Sequence, residues 1–280
     1  MIYSDAYNIA SAKIKEAGVT EYNLDARLLL EFVCGTDFNT LLVHGDRELS
    51  PLEEKKYNEL VDKRVARIPL AYLVGYQEFM GLQFKVNENV LIPNQDTETL
   101  AEEALRELSD GMCFMDLCTG SGCVALSILN YTNDTSAYMT DISDKAIEVA
   151  IDNVHKFGFE NRTQIIKTDI FPANEKRKFD MIVANPPYIR TDVIDTLPPE
   201  VRLGEPYIAL DGGSDGLAFY RRIITGAKEW LFKSGWLMME IGYDQGRDVS
   251  MLMIKEGYHE VEVVKDLGGN DRVVRGCLKI

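Results

Sequence analysis

The run Asn185-Pro186-Pro187-Tyr188 offers the most specific chemistry in this chain. It follows the apolar stretch Met181-Ile182-Val183-Ala184, so it falls where a buried strand ends and a loop begins. Two successive prolines fix φ and remove two backbone donors, and each pushes its predecessor toward extended geometry. What remains is a stiff turn of acceptors, the Asn185 side-chain oxygen and the proline carbonyls, beside the ring of Tyr188. Such a turn suits a planar –NH2 group, whose two hydrogens are bonded in plane while the ring packs against it. Asn185, Pro186 and Tyr188 are the candidate catalytic residues, and Asn185, Pro186, Pro187 and Tyr188 the candidate substrate contacts.

A second constellation precedes it. Asp116-Leu117-Cys118-Thr119-Gly120-Ser121-Gly122 follows one candidate strand and opens a helix, and its glycines let the backbone turn sharply against a ligand. Asp141 ends the next strand, 19 residues after Gly122, at the spacing where a carboxylate accepts from vicinal ribose hydroxyls. Asp169 follows a third strand, placed to accept from an adenine amino group with Ile170 and Phe171 flanking the ring. Either acid alone reads as a helix cap or a solvated turn. Together, Cys118, Thr119, Gly120, Ser121, Gly122, Asp141, Asp169, Ile170 and Asn185 form the candidate cofactor-binding set. NAD would require a hydride-transfer partner that no motif here supplies. S-Adenosylmethionine fits better, because the fourth strand end is suited to an amino nitrogen. No dedicated general base stands out.

Four functional strand ends in succession require a mainly parallel sheet with helices on both faces. Strands are predicted at Cys113–Leu117, Ser136–Thr140, Thr163–Lys167, Phe179–Ala184, Trp236–Ile241, Glu260–Lys265 and Arg272–Ile280. Helices are predicted at Val124–Leu129, Asp144–Phe157, Gly216–Trp230 and Arg247–Glu256. Ahead of them, Ser4 to about Arg67 reads as helical. Asn23 is the expected cap of a second helix, Leu41-Leu42-Val43 begins a short third, and Ser50-Pro51-Leu52-Glu53 opens a fourth. Tyr72–Phe79, Met80-Gly81 and Leu82–Val86 read as a β-hairpin. The expected division is a helical domain over 1–70, a hairpin linker over 71–93 and an α/β domain over 94–280.

With 280 residues, 46% hydrophobic and 27% charged, the composition is that of a soluble globular protein. No apolar run approaches the roughly 20 residues that span a bilayer, and the first residues lack a secretory signal. Cys113, Cys118 and Cys123 lack metal-knuckle spacing, so the five cysteines read as reduced thiols of a cytoplasmic protein, with no metal. Residues 1–75 carry 12 acids and 9 bases, and the rest 33 acids and 21 bases, for a net charge of −15. Neither part shows a basic face, which argues against a nucleic-acid substrate.

Asn-Pro-Pro-Tyr at a strand end resembles the signature of S-adenosylmethionine-dependent methyltransferases that act on amide or exocyclic amino nitrogens. Over nearly its whole length the chain resembles the release-factor glutamine N5-methyltransferases. The resemblance runs through Tyr72-Leu73-Val74-Gly75, Leu91-Ile92-Pro93 with Asp96-Thr97-Glu98, the Asp116–Gly122 loop, Thr140-Asp141-Ile142-Ser143 and Asn185–Ile189. It ends on Ala209-Leu210-Asp211-Gly212-Gly213 with Asp215-Gly216-Leu217, and on Asp266-Leu267-Gly268-Gly269-Asn270-Asp271-Arg272. Asn94 and Gln95 depart from the usual Arg-Pro, and Cys118 from the commoner glycine. The resemblance implies a class I methyltransferase sheet with a final antiparallel strand, S-adenosylmethionine as cofactor, and S-adenosylhomocysteine as product. It implies as substrate the glutamine of the Gly-Gly-Gln motif in release factors, held in part by the helical domain, with no membrane and a monomeric enzyme. Two rivals remain at this point. One is an adenine-N6 nucleic-acid methyltransferase, which needs phosphate contacts and base flipping. The other is a catalytically silent adenosine-binding module.

Overall fold

A computed structural model of the chain describes residues 1–173 and 177–279. It divides into two compact units, residues 1–76 with 197–204, and residues 77–196 with 205–280.

The first unit is helical, with α1 (Tyr3–Glu16), α2 (Tyr22–Cys34), α3 (Phe38–Val43), α4 (Pro51–Val65) and α5 (Leu70–Val74). Its core gathers Ile14, Leu29, Leu30, Tyr57 and Val61 from the first, second and fourth helices. The start of α4 is the one expected. Ser50 Oγ accepts from the Glu53 N–H at 3.3 Å, Glu53 Oε2 accepts from the Ser50 N–H at 2.7 Å, and Pro51 fills the first turn. Asn23, expected as a cap, instead lies inside α2, where its Oδ1 accepts from the Ser11 hydroxyl of α1 at 2.5 Å. Tyr72–Val74, expected as strand, forms the end of α5, which starts after Pro69 and stops at Gly75. The hairpin proper is β1 (Tyr76–Phe79) and β2 (Leu82–Lys85).

The second unit continues with α6 (Glu98–Glu107), β3 (Cys113–Leu117), α7 (Cys123–Asn130), β4 (Ser136–Asp141), α8 (Asp144–Phe157), β5 (Thr163–Lys167) and β6 (Phe179–Ala184). After α9 (Pro199–Gly204), which belongs to the helical unit, come α10 (Tyr207–Leu210), α11 (Ala218–Trp230), β7 (Leu231–Glu240), α12 (Gly246–Lys255), β8 (Tyr258–Lys265) and β9 (Asp271–Leu278). The strand order is β5-β4-β3-β6-β7-β9-β8. β3 to β7 are parallel, and β9 runs antiparallel to both its neighbours. The fold is therefore α/β, with the antiparallel final strand that the resemblance implies.

Alternation along β3 shows why both faces need helices. Phe114 packs with side chains of α6, α7 and α8, whereas Met115 and Leu117 pack with those of α11 and α12. β7 begins five residues earlier than the apolar pattern suggests, because a register shift opposite Phe179–Met181 accommodates the polar Lys233-Ser234-Gly235. Register places Leu117 beside Thr140 and Ala184, and Asp141 beside Lys167. The carboxyl ends of four parallel strands therefore lie along one edge, where open α/β sheets bind ligands.

Candidate active site

A cleft opens along that edge, with about 1080 Å³ of empty space counted to its mouth. Its lining draws on the loops after β3, β4, β5 and β6, on Asn89–Asn94 and on α10. Of the sequence-predicted set, Cys118, Thr119, Gly120, Ser121, Asp141, Asp169, Ile170, Asn185 and Pro187 line it. Gly122 starts α7 beside it. Pro186 is buried and, with Tyr188, lies outside the lining. The side chains of the stiff turn alternate, and Asn185 and Pro187 are the ones that face the cleft.

The loop after β3 is tied down on all sides. Asp116 Oδ2 accepts from the Thr119 hydroxyl at 2.6 Å, and the Thr119 N–H donates to the Thr140 carbonyl at 2.9 Å. Burial pushes the Asp116 carboxyl up to about 7, against the hydroxyl of Thr119 and the N–H of Ala125. Asp141 Oδ2 accepts from the Gly120 N–H and Oδ1 from the Ser143 N–H, each at 2.9 Å. Burial raises the Asp141 carboxyl, and these backbone donors hold it down. Each of its oxygens keeps a second lone pair for a ligand. Ser143 caps α8, accepting from the Ala146 N–H, and Asp144 is its first residue.

Asp169 differs from its expected free state. Its Oδ2 is paired with the Arg222 guanidinium of α11 at 2.7 Å, at half-exposed positions. Ile170 is buried at φ 69°, and its carbonyl accepts from the Thr140 hydroxyl at 3.2 Å. Several lining residues lie outside the expected site set, among them Ile142, Phe219 and Thr97. Ile142 is a strand-end aliphatic left 48% exposed, and its position directly after Asp141 was the available signal. Phe219, on α11, had no local signal; Thr97 lies in the Asp96-Thr97-Glu98 stretch of the family resemblance, but nothing local to it marks it as a neighbour of Asn185, 88 residues away. Asn153 is also missing from the expected set. It is fully buried on α8 and donates to the carbonyls of Lys85 and Ser121, joining the hairpin to the glycine loop.

Asn185 is held by its amide nitrogen, which donates to Thr97 Oγ1 at 3.4 Å. Behind it, the Tyr188 hydroxyl donates to Glu240 Oε1 at 3.1 Å. Burial, together with the Glu240 carboxylate, raises the Tyr188 phenol, against the pull of Arg272. Glu240 is fully buried, and burial pushes its carboxyl up to about 7, opposed by the Thr97 hydroxyl and the Arg272 guanidinium. Among the described residues lining the cleft, three are aspartates and none is lysine, arginine or histidine.

Two family models match the chain: the PrmC N-terminal domain over residues 5–75 and the methyltransferase small domain over residues 95–197. The release factor glutamine methyltransferase of Clostridium botulinum is 39% identical over 281 residues, covering 98% of this chain and 99% of the relative. The chain belongs to the release factor glutamine methyltransferases. Its counterpart in Moorella thermoacetica is 40% identical, covering 97% of each chain. In fold alone, this methyltransferase is similar to a methyltransferase from Pyrococcus furiosus, with a TM-score of 0.56 at 18% identity, covering 78% of this chain and 100% of that one.

The Ala209–Gly213 and Asp266–Arg272 stretches have a visible task in this methyltransferase. A Cβ on Gly212 would stand 2.7 Å from the Tyr188 Cα, so only glycine lets that segment lie against the Asn-Pro-Pro-Tyr backbone. There the Gly212 N–H donates to the Ile189 carbonyl at 2.8 Å. Gln245 donates to the carbonyls of Tyr188 and Gly216 while its Oε1 accepts from Gly242 and Tyr220. Arg272, from the terminal motif, pairs with Asp96 at 3.0 Å and Asp266 at 3.1 Å. None of these residues lines the cleft. They brace the turn that carries Asn185.

Proposed function

We propose that this methyltransferase moves a methyl group from S-adenosylmethionine to the N5 amide nitrogen of the glutamine in the Gly-Gly-Gln motif of peptide chain release factors. S-Adenosylhomocysteine is the product. The observation that carries the reading is Asn185, tied by its nitrogen to Thr97, beside a cleft whose described lining residues include three carboxylates and no cationic side chain. A dinucleotide pyrophosphate or a nucleic-acid backbone would meet three aspartates there, one of them paired with Arg222. A ligand bearing a sulfonium and an ammonium group is favoured by that charge.

The residues present fit such a cofactor. Gly120 has φ 55° and nothing within 4 Å of the place a Cβ would take, which leaves room for close approach to the loop. The spare lone pairs of Asp141 suit vicinal ribose hydroxyls. Asp169 and the flanking Ile170 and Ile142 suit the adenine, and Cys118, Thr119, Ser121 and Gly122 shape the loop between. When bound, the cofactor supplies a methyl group that is already electrophilic.

An amide nitrogen is a weak nucleophile, because its lone pair is delocalised into the carbonyl. This chain supplies position rather than a reactive group. Asn185 Oδ1 and the Pro186 carbonyl accept the two amide hydrogens, fixing the nitrogen in line at near-attack distance. The same acceptors stabilise positive charge as it develops on that nitrogen. Pro187 lines the approach. Tyr188, expected over the amide, acts from behind by anchoring the turn to Glu240. The proton leaves to water, since the methylated nitrogen is strongly acidic. The helical unit grips the folded release factor, and the enzyme works as a cytoplasmic monomer. Tritiated-methyl transfer to purified release factor, with peptide mapping, tests this reading beside a nucleic-acid control. Label on the Gly-Gly-Gln glutamine is expected. Label on nucleic acid, or on no protein, overturns it.

A further inference from the structure

The loop after β5 turns tightly through Asp169-Ile170-Phe171. The Phe171 N–H donates to the Asp169 carbonyl at 3.0 Å, and the Thr168 hydroxyl to the Phe171 carbonyl at 2.9 Å. Ile170, at φ 69°, takes a left-handed conformation that a β-branched residue adopts only where its surroundings impose it. One face of α11 closes on this turn. Arg222 pairs with Asp169 Oδ2 at 2.7 Å. A Cβ on Gly226 would stand 2.5 Å from the Phe171 ring, so a larger residue there would push that ring away. Trp230 stacks on the same ring, with centroids 5.8 Å apart and planes at 12°. Phe219 lines the cleft, and the Arg222 guanidinium lies over its ring, 5.8 Å from the centroid. Positions 219, 222, 226 and 230 fall on a single face of a helix. Phe171, expected beside the adenine ring, is thus drawn back against α11 and lies outside the cleft lining, where Phe219 supplies the aromatic side chain.

We propose that this face of α11 sets the purine specificity of the cleft, with Arg222 as the positioning residue that holds Asp169 as a fixed acceptor for an exocyclic amino group. The inference rests on the adenine role proposed above for Asp169. Arg222 itself does not line the cleft and acts through the carboxylate. Its pairing engages one carboxylate oxygen and leaves the other for a ligand.

An ionised carboxylate accepts hydrogen bonds and donates none. Held in place, it favours adenine, whose amino group donates. It opposes hypoxanthine, which carries an oxygen at the same ring position and sets lone pairs against lone pairs. Discrimination of this kind needs a carboxylate that cannot turn away. Asp169 and Arg222 are both about half exposed, so their pairing adds little to stability. What it adds is direction. Released from Arg222, an exposed aspartate would turn its charge to water, bonding adenine less well and tolerating hypoxanthine better. The packing of Phe171 between Gly226 and Trp230 fixes the backbone of the same loop, so the side chain of Asp169 is the part left for Arg222 to orient.

The test is calorimetric binding of S-adenosylhomocysteine and of its deaminated analogue, S-inosylhomocysteine, to the full chain. Wild type should favour the adenine compound by about tenfold to a hundredfold, the range of one hydrogen bond to a charged acceptor. Arg222→Ala should bind S-adenosylhomocysteine about twofold to fivefold more weakly, with no loss of affinity for the analogue, so that the ratio falls. Arg222→Lys, which keeps a cation for a contact made by one nitrogen, should recover part of the ratio. A merely structural role would weaken both ligands alike. Arg222→Ala with the wild-type ratio overturns the inference, as does equal weakening of both ligands, or an Arg222→Lys protein no better than Arg222→Ala. Asp169→Ala separates the two levels. If it binds S-adenosylhomocysteine as wild type does, the adenine role of Asp169 itself fails; if it loses the preference while Arg222→Ala keeps it, only the role of Arg222 fails.

Discussion

Replacing Asn185 with alanine removes the one side-chain acceptor at the end of β6 and leaves the turn's supports in place. Those supports do not depend on the Asn185 side chain. Tyr188 keeps its bond to Glu240, its carbonyl keeps Gln245, and Gly212 still packs under the Tyr188 backbone. The cofactor side of the cleft keeps Asp141 and the glycine loop. The loss should therefore fall on the transfer step. Removing one preorganised partner of a developing charge costs about 3–4 kcal/mol, a fall of on the order of a hundredfold to a thousandfold in rate. Single-turnover transfer to intact release factor is the proper assay, because it is blind to product release. Asn185→Asp is the informative companion, since it keeps an oxygen in place but adds charge. If Asn185→Ala methylates a Gly-Gly-Gln protein at nearly the wild-type single-turnover rate, the proposed grip on the amide is wrong, whatever the cofactor affinity.

Asp141→Ala should weaken binding of S-adenosylmethionine by about 1–3 kcal/mol, the worth of hydrogen bonds to a charged acceptor, and calorimetry with unchanged affinity would remove Asp141 from the site. Gly212→Ala forces a methyl to within 2.7 Å of the Tyr188 backbone. It should cost about 1–3 kcal/mol of stability and slow transfer more than it weakens cofactor binding; an enzyme with normal melting and normal turnover would show that the close approach is slack. In the cofactor-free protein, burial raises Asp116 and Glu240 above their unfolded values to about 7, so each takes up a proton on folding. Their stabilising contribution is present in full below the ordinary carboxylate range and is lost as pH rises from there to about 7, at about 1.4 kcal/mol per group per pH unit, with no further loss above. Denaturant midpoints should fall from about pH 5 to about pH 7 and level off above it, and a midpoint that rises from about pH 5 to about pH 7 contradicts the assignment.

Local pattern made the sheet readable. β3, β5 and β6 carry short apolar runs bounded by turn residues, and the helix over Asp144–Phe157 has a clear polar and apolar face. The expectations that differed are those decided by contacts from elsewhere. Asn23 is a good cap by type, but Ser11 of the neighbouring helix takes its oxygen. Tyr72-Leu73-Val74 has strand-forming residues, yet Pro69 and Gly75 bound it as one helical turn. In the site, strand-end acids were visible because their spacing is local. Phe219 and Asn153 were not, because each meets the cleft or its loop only after the chain has returned from a distant element, and Thr97, though within a family stretch, had no mark of its contact with Asn185. The ion pair of Asp169 with Arg222 spans 53 residues and carries no sequence signature.

A site that works by position places its requirement on rigidity, and the surroundings of Asn185 answer that requirement. A general base or a nucleophile tolerates some motion, because its reactivity travels with it. Two acceptors that must lie in the plane of an amide do not, since a small rotation forfeits both bonds. This accounts for the number of residues that hold the Asn-Pro-Pro-Tyr turn without lining the cleft. Gln245 has all four of its amide positions engaged, two of them on the turn and its glycine neighbour. Glu240 remains buried at the cost of a raised carboxyl, because it anchors Tyr188 and faces Thr97. Arg272 crosses from the last strand to Asp96, one residue before Thr97. The glycine-rich segment and the terminal arginine motif, which touch no reacting atom, are thereby explained by the same demand. On the proposed reading, they keep one carbonyl oxygen of one asparagine where a substrate amide would meet it.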